Sequence, residues 1–189
     1  MEITSLLEII WIRLVLTQKE RYFMYKVGDY IVKNGDGVCN VENVTHLDMA
    51  GIDRNRLYYM LIPLDDENGK IYVPVDSSIQ QLRKVMSMED AYDLIDKISA
   101  VQEISISNDK LREQKYKEII KDFEPESLFR IIKTTYLRKQ QRLEQGKKST
   151  AVDEHYLTFA EKLLFSELCL ALKKDKDEVH NLIVEAVNK

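Results

Sequence analysis

Proline and glycine are scarce in this chain, at three and six of 189 residues, which excludes collagen-like and low-complexity architectures. Cysteine occurs only as Cys39 and Cys169. Two thiols so far apart cannot build a disulfide framework or a four-ligand zinc site, and a reducing, cytoplasmic compartment is expected. Long hydrophobic runs are missing as well. Residues 6–16 are the most apolar stretch, but Glu8 and Arg13 interrupt it. It is too short and too charged to span a bilayer, and it lacks the basic start and small-residue cleavage site of a signal peptide. Catalytic constellations are absent too. His46, His155 and His180 are far apart in sequence, and Glu154-His155 has no metal-ligand partner at helical spacing. Gly35-Asp36-Gly37 opens a strand and no helix follows, so it reads as a hairpin turn and not as a phosphate cradle. The expectation is a protein that is no enzyme and has no metal, cofactor or small-molecule ligand.

What the chain does have is enough apolar sequence for a core, 44% hydrophobic, and an uneven charge distribution. The net charge is −4, so no general affinity for nucleic acid is announced. Residues 88–109 nevertheless carry six acids against one lysine, and residues 130–148 carry seven basic residues against one acid. A basic segment inside an acidic protein points to a defined anionic contact.

The first half of the chain carries strand and turn signals. Tyr30-Ile31-Val32 is a short β-branched run, and Asn34-Gly35 and Asp36-Gly37 are tight-turn dipeptides. Val38, Val41 and Val44 populate a second strand, Leu57 to Ile62 a third and Ile71 to Val73 a fourth closed by Pro74, with a fifth over 83–86. Short strands joined by polar turns, with no helix between them, predict a small antiparallel Tudor/SH3-like β-barrel. From Ser87 the period becomes helical. Ser87 caps a helix over 88–98, Asn108 one over 109–122, and Pro125 starts one that runs from Glu126 to about Gln145 and stops at Gly146. Thr150 or Asp153 starts a fourth, and a last amphipathic helix uses Val179, Leu182, Ile183 and Val187. The fold class is therefore α+β. The domains are 1–21, an N-terminal extension; 22–87, the barrel; and 88–189, an all-α helical domain. The extension has two readings, an amphipathic helix or sequence upstream of a start at Met24.

Two features carry function. On the helix after Pro125, Leu128, Ile132, Tyr136 and Leu143 form an apolar stripe, with Arg138, Lys139 and Arg142 in an arc beside it and Lys147 and Lys148 beyond Gly146. Arg138 and Arg142, four apart, project from one side and can meet phosphates. The plain alternative is a solvated helix face. The second feature is Ile71-Tyr72-Val73 followed by Pro74. Proline is confined to sheet edges, and an edge strand can pair with a partner or simply face water.

Together the motifs Tyr25-Lys-Val-Gly-Asp-Tyr-Ile-Val32, Gly35-Asp-Gly-Val38, Tyr58-Tyr-Met-Leu-Ile62 and Ile71-Tyr-Val-Pro-Val75 resemble the polymerase-interacting domain of CarD-type regulators, a module shared with the transcription-repair coupling factor. The second half is similar to the CarD helical domain, through the helix containing Tyr116, the basic helix and Ala160-Glu161-Lys162-Leu163-Leu164 leading into Glu167-Leu168. The resemblance implies a bacterial transcription regulator. Its barrel would pair a strand with the RNA polymerase β subunit, through Ile71, Tyr72 and Val73 with Arg56 nearby. Its helical domain would touch promoter DNA and stabilise the open complex, through Arg112, Arg138, Lys139, Arg142, Lys147 and Lys148. Two departures stand out. Arg112 occupies the position of the family's DNA-wedging Trp, while the chain's only Trp is Trp11. Two usual polymerase-contacting arginines fall at Leu47 and Tyr72, with Arg54 and Arg56 in a longer turn. The competing readings are a protein–protein adaptor with no DNA contact and a nucleic-acid binder independent of polymerase.

Overall fold

The computed structural model describes residues 25–187 except 107, 122 and 123. The N-terminal extension over 1–21 lies outside the described residues. Five strands come first: β1 Tyr30–Lys33, β2 Gly37–His46, β3 Leu57–Pro63, β4 Ile71–Pro74 and β5 Leu82–Lys84. They form one antiparallel sheet in the order β4-β3-β2-β1-β5, and helices follow, so the α+β class holds. The Gly-rich dipeptides close the β1–β2 hairpin as expected. Gly35 and Gly37 adopt φ of 86° and 82°, a region that only glycine enters without strain. The register of β2 against β3 shifts between Val41 and Asn43. That bulge puts Val41 and Val44, three residues apart, against one core, which strict alternation does not allow; Val38, before the bulge, is not part of that core. The strand expected over 83–86 lies slightly earlier, because a 3-10 turn over Val75–Gln80 fills the connection after Pro74.

The helices are α1 Met88–Asp96, α2 Arg112–Ile120, α3 Pro125–Glu144, α4 Ala151–Leu172 and α5 Lys176–Val187. Their ends follow the sequence signals closely. Ser87 and Asp90 form a reciprocal capping box on α1. Asn108 accepts the amide of Lys110, although the helix begins there as a 3-10 turn over Asp109–Leu111. Pro125 takes the first position of α3, where its missing N–H costs nothing. Beyond α3 the amide of Lys147 donates to the Arg142 carbonyl at 2.8 Å and that of Gly146 to Leu143 at 2.9 Å. With Gly146 at φ 68° this is a Schellman stop. Thr150 caps α4 by accepting the amide of Asp153.

The chain divides into two compact units. One holds the described residues up to Lys33 together with Cys39–Arg83; the other holds Asn34–Val38 and the chain from Lys84 onward. The first core gathers Tyr25, Ile31, Val41, Tyr59, Leu61 and Val73. The second gathers Ala91, Ile95, Tyr116, Phe129, Ile131, Leu164 and Leu168 among others. Burial of this much apolar surface is the main favourable term for each unit. Cys39 and Cys169 are free thiols. Burial pushes the Cys169 thiol up, which makes it inert packing material. Among the described residues no helix is long and apolar enough to cross a membrane.

Candidate functional site

In the sheet unit, β4 pairs with β3 alone among the described residues and forms one edge of the described sheet. The pairing sets Ile71 opposite Leu61, Tyr72 opposite Met60, Val73 opposite Tyr59 and Pro74 opposite Tyr58. Side chains alternate along a strand, so Val73 is buried at 1% exposure while Tyr72 is 39% exposed on the other face. The Tyr72 hydroxyl reaches the Met60 sulfur at 3.5 Å. Pro74 brings no N–H to the ladder, which suits an edge. Of the edge candidates, Tyr72 faces solvent, Ile71 is half-buried and Val73 belongs to the core.

Arg56 stands at the start of β3 and grips Asp76, just past the end of β4. Its Nη2 donates to Oδ1 at 2.6 Å and its Nε to Oδ2 at 3.0 Å. Its guanidinium also lies 5.9 Å from the Tyr58 ring centroid. The Arg56 hydrogen bond holds the Asp76 carboxyl below the usual carboxylate range. Arg56 is thus close to β4 but already paired, and Arg54 bonds Asp48 at 2.8 Å in the exposed turn. A shielded Arg56 orders the end of the edge strand and presents little free charge.

The helical unit treats the basic residues unequally. Arg138, expected on a phosphate-facing surface, points inward. Its Nε donates to Asp153 Oδ2 at 2.8 Å and its Nη2 to Asp109 Oδ2 at 2.7 Å. Arg112 is 8% exposed. Its Nη2 donates to Asp109 Oδ1 at 2.7 Å and its Nη1 to the Tyr116 hydroxyl at 3.3 Å. Asp153, 1% exposed, also accepts from Tyr116 at 3.1 Å and from Thr150 at 2.7 Å. Two arginines, two aspartates and a tyrosine therefore tie the start of α2, the middle of α3 and the start of α4 into one neutral cluster. Both arginines were candidates for DNA contact; both are occupied, because buried Asp153 requires a cation partner. Lys133 is spent similarly, donating to the carbonyls of Ser99 and Val101 at 3.1 Å and 2.7 Å.

The other four candidate cations, Lys139, Arg142, Lys147 and Lys148, lie toward and just beyond the end of α3. Lys147 and Lys148 are exposed, and Lys139 and Arg142 half-exposed. Arg142 Nε donates to the Lys148 carbonyl at 2.8 Å, which folds the Lys147-Lys148 turn back on the helix. The Lys139 and Lys148 ammonium groups have no partner among the described residues. These four are the sequence candidates left without an aspartate partner; Arg112 and Arg138 are tied to Asp109 and Asp153.

Asp109 supplies a pH test of the cluster. Its hydrogen bonds from Arg112 and then Arg138 hold its carboxyl down at about 2. A depressed carboxylate contributes stability above its unfolded pKa, about 3.9, and that contribution is lost as pH falls toward the folded value. Urea midpoints of wild type and Asp109→Asn should therefore converge as pH drops from about 4 to about 2. Curves that stay parallel through that window would show that Asp109 is not held by the arginines. Among the described residues no group of three or more His, Cys, Asp or Glu side chains could hold a metal ion.

Residues 25–86, which hold the five strands, match the CarD-like/TRCF RID domain. This stretch is a CarD-like RNA polymerase-interacting domain, and the chain carries a module of transcription. The match covers about a third of the chain and stops before α1, so it does not extend to the helices. No curated protein matches the chain.

Proposed function

We propose that this protein is a non-catalytic bacterial transcription regulator that binds the RNA polymerase β subunit by strand pairing along β4. Its helical unit contacts promoter DNA through Lys139, Arg142, Lys147 and Lys148 and stabilises the open complex. The observation that carries the reading is the free edge of β4 within a CarD-like RNA polymerase-interacting domain. An exposed edge strand offers a row of main-chain donors and acceptors that a partner strand can complete. The DNA part rests on four cations left over once Arg112 and Arg138 are paired, and it is narrower than the full basic segment of the sequence.

Promoter-complex lifetime, measured with polymerase and the full chain over a salt series, tests the whole reading. The chain should lengthen the lifetime. Each phosphate contact releases counterions with a slope of about −0.9 in log–log form. The double variant Lys147→Ala/Lys148→Ala should therefore shorten the lifetime and make the salt dependence shallower by about 2. An identical salt series for variant and wild type would leave the cations solvated and favour the adaptor without DNA contact.

A further inference from the structure

The helical unit leaves two apolar helix faces uncovered, and the charges beside them are opposite in sign. The first face is on α1. Met88 is 44% exposed and Tyr92 41% exposed. Four residues apart, they share one side of the helix. Asp96 and Glu89 lie within about 60° of Tyr92 around the axis, and neither carboxylate has a partner among the described residues. The second face is on α3, where the apolar stripe overshoots the core. Leu128 is buried and Ile132 partly buried against the helical core, but Tyr136 is 52% exposed and Leu143 53% exposed. Lys139 lies within about 60° of both, and Lys147 and Lys148 follow the Schellman stop. The faces also match in length. Glu89 and Asp96 are seven residues apart, as are Tyr136 and Leu143, which is about 10 Å along each axis.

The carboxylates of α1 repel phosphate, so neither nucleic acid nor an anionic membrane covers Met88 and Tyr92. A protein surface suits them. Aromatic residues and Met are enriched at the centre of protein interfaces, inside a polar rim, and complementary charge at the rim selects the partner and its register. The face on α1 therefore requires a surface of its own length, apolar at the centre and cationic beside it. The end of α3 has that length and that composition. Both faces stay exposed within one chain, so they can meet only between copies. The contact joins unlike faces of identical chains and is heterologous. Pairing α1 with α1, or α3 with α3, would set like charges against each other.

We propose that the chain self-associates by docking the Met88–Tyr92 face of α1 on the Tyr136–Leu143 face of α3 in a second copy, with Glu89 and Asp96 set against Lys139 and Lys148. The association stands on these two faces and needs no DNA. It uses cations assigned above to DNA, so a copy covered on α3 is closed to DNA. Sedimentation equilibrium of the full chain, without DNA, provides the test. Between about 1 μM and about 1 mM, the range of weak protein contacts, the average mass should rise above the 22.2 kDa of one chain. The rise should be smaller in about 1 M salt, where charges are screened within about 3 Å. Glu89→Lys/Asp96→Lys should stay monomeric, and so should Lys139→Glu/Lys148→Glu. Mixed in equal amounts, these two variants should associate again, because each restores the charge that the other needs. Tyr92→Ala should weaken the association about tenfold. Circular dichroism should match wild type throughout, since none of the substituted side chains is buried.

A mass that stays at 22.2 kDa across the whole range overturns the proposal and leaves the α1 face to a basic protein of another kind. Association that survives either charge reversal overturns it as well, because the contact then lies elsewhere. So does a mixture of the two reversed variants that is no heavier than its components.

Discussion

Replacing Arg138 with Ala should destabilise the helical unit by about 3–5 kcal/mol, the usual cost of stripping one partner from a buried ion pair. Asp153 is the reason. At 1% exposure it cannot be rehydrated, and Arg138 Nε is its closest charged donor, at 2.8 Å. The remaining cation, Arg112 Nε, stands 4.0 Å away. That leaves the hydroxyls of Tyr116 and Thr150, neither of which brings a positive charge. Arg138→Lys should recover part of the loss, because an ammonium can reach one aspartate but cannot span two. Arg142→Ala is the contrasting control. Arg142 only donates to a surface carbonyl, and its removal should cost under about 1 kcal/mol. Equilibrium urea unfolding of the full chain, followed by circular dichroism, measures all three. If Arg138→Ala lies within about 0.5 kcal/mol of wild type, the arginine is a free cation and returns to the pool available for DNA.

Tyr72→Pro should weaken binding to the polymerase β subunit by at least about 100-fold, equivalent to about 2.7 kcal/mol. Proline removes a donor from the middle of a four-residue edge strand and fixes φ near −65°, well away from extended pairing geometry. The sheet should survive, since Ile71 and Val73, which point toward the core, are untouched. Tyr72→Ala separates the backbone from the side chain. It leaves the main-chain donors intact and should cost no more than about tenfold, the ring being 39% exposed. Affinity unchanged by Tyr72→Pro in a titration against a β-subunit fragment would exclude β4 as the interface.

Much of this architecture was legible because it depends on local chemistry. Turn glycines, Ser87, Asn108, Pro125, Gly146 and Thr150 each act within a few residues of themselves, so their effects can be read from spacing. The β4 edge was legible through Pro74 alone. The ion cluster was not. Arg138 and Asp153 are joined across the turn at Lys147 and Lys148, and Arg138 and Asp109 across a longer separation. Nothing in a helical wheel distinguishes an arginine facing solvent from one facing a buried aspartate on the next helix. The i, i+3 pair Asp109–Arg112 was the available hint. The stripe misled in the opposite sense. Tyr136 and Leu143 have the period of core residues, but periodicity reports a face and not what covers it. The 3-10 turn over Val75–Gln80 left no signal, lacking a side-chain cap at its start.

Amide hydrogen exchange of the full chain, free and bound to RNA polymerase, addresses strand pairing most directly. In the free protein, amides of Ile71–Val73 that face away from β3 should exchange quickly, because among the described residues no strand covers that side. On binding polymerase they should become protected, while the amides of β2, already paired on both sides, change little. Protection confined to the helices, with the outward amides of β4 exchanging as fast in the complex as in the free chain, would contradict strand pairing at this edge.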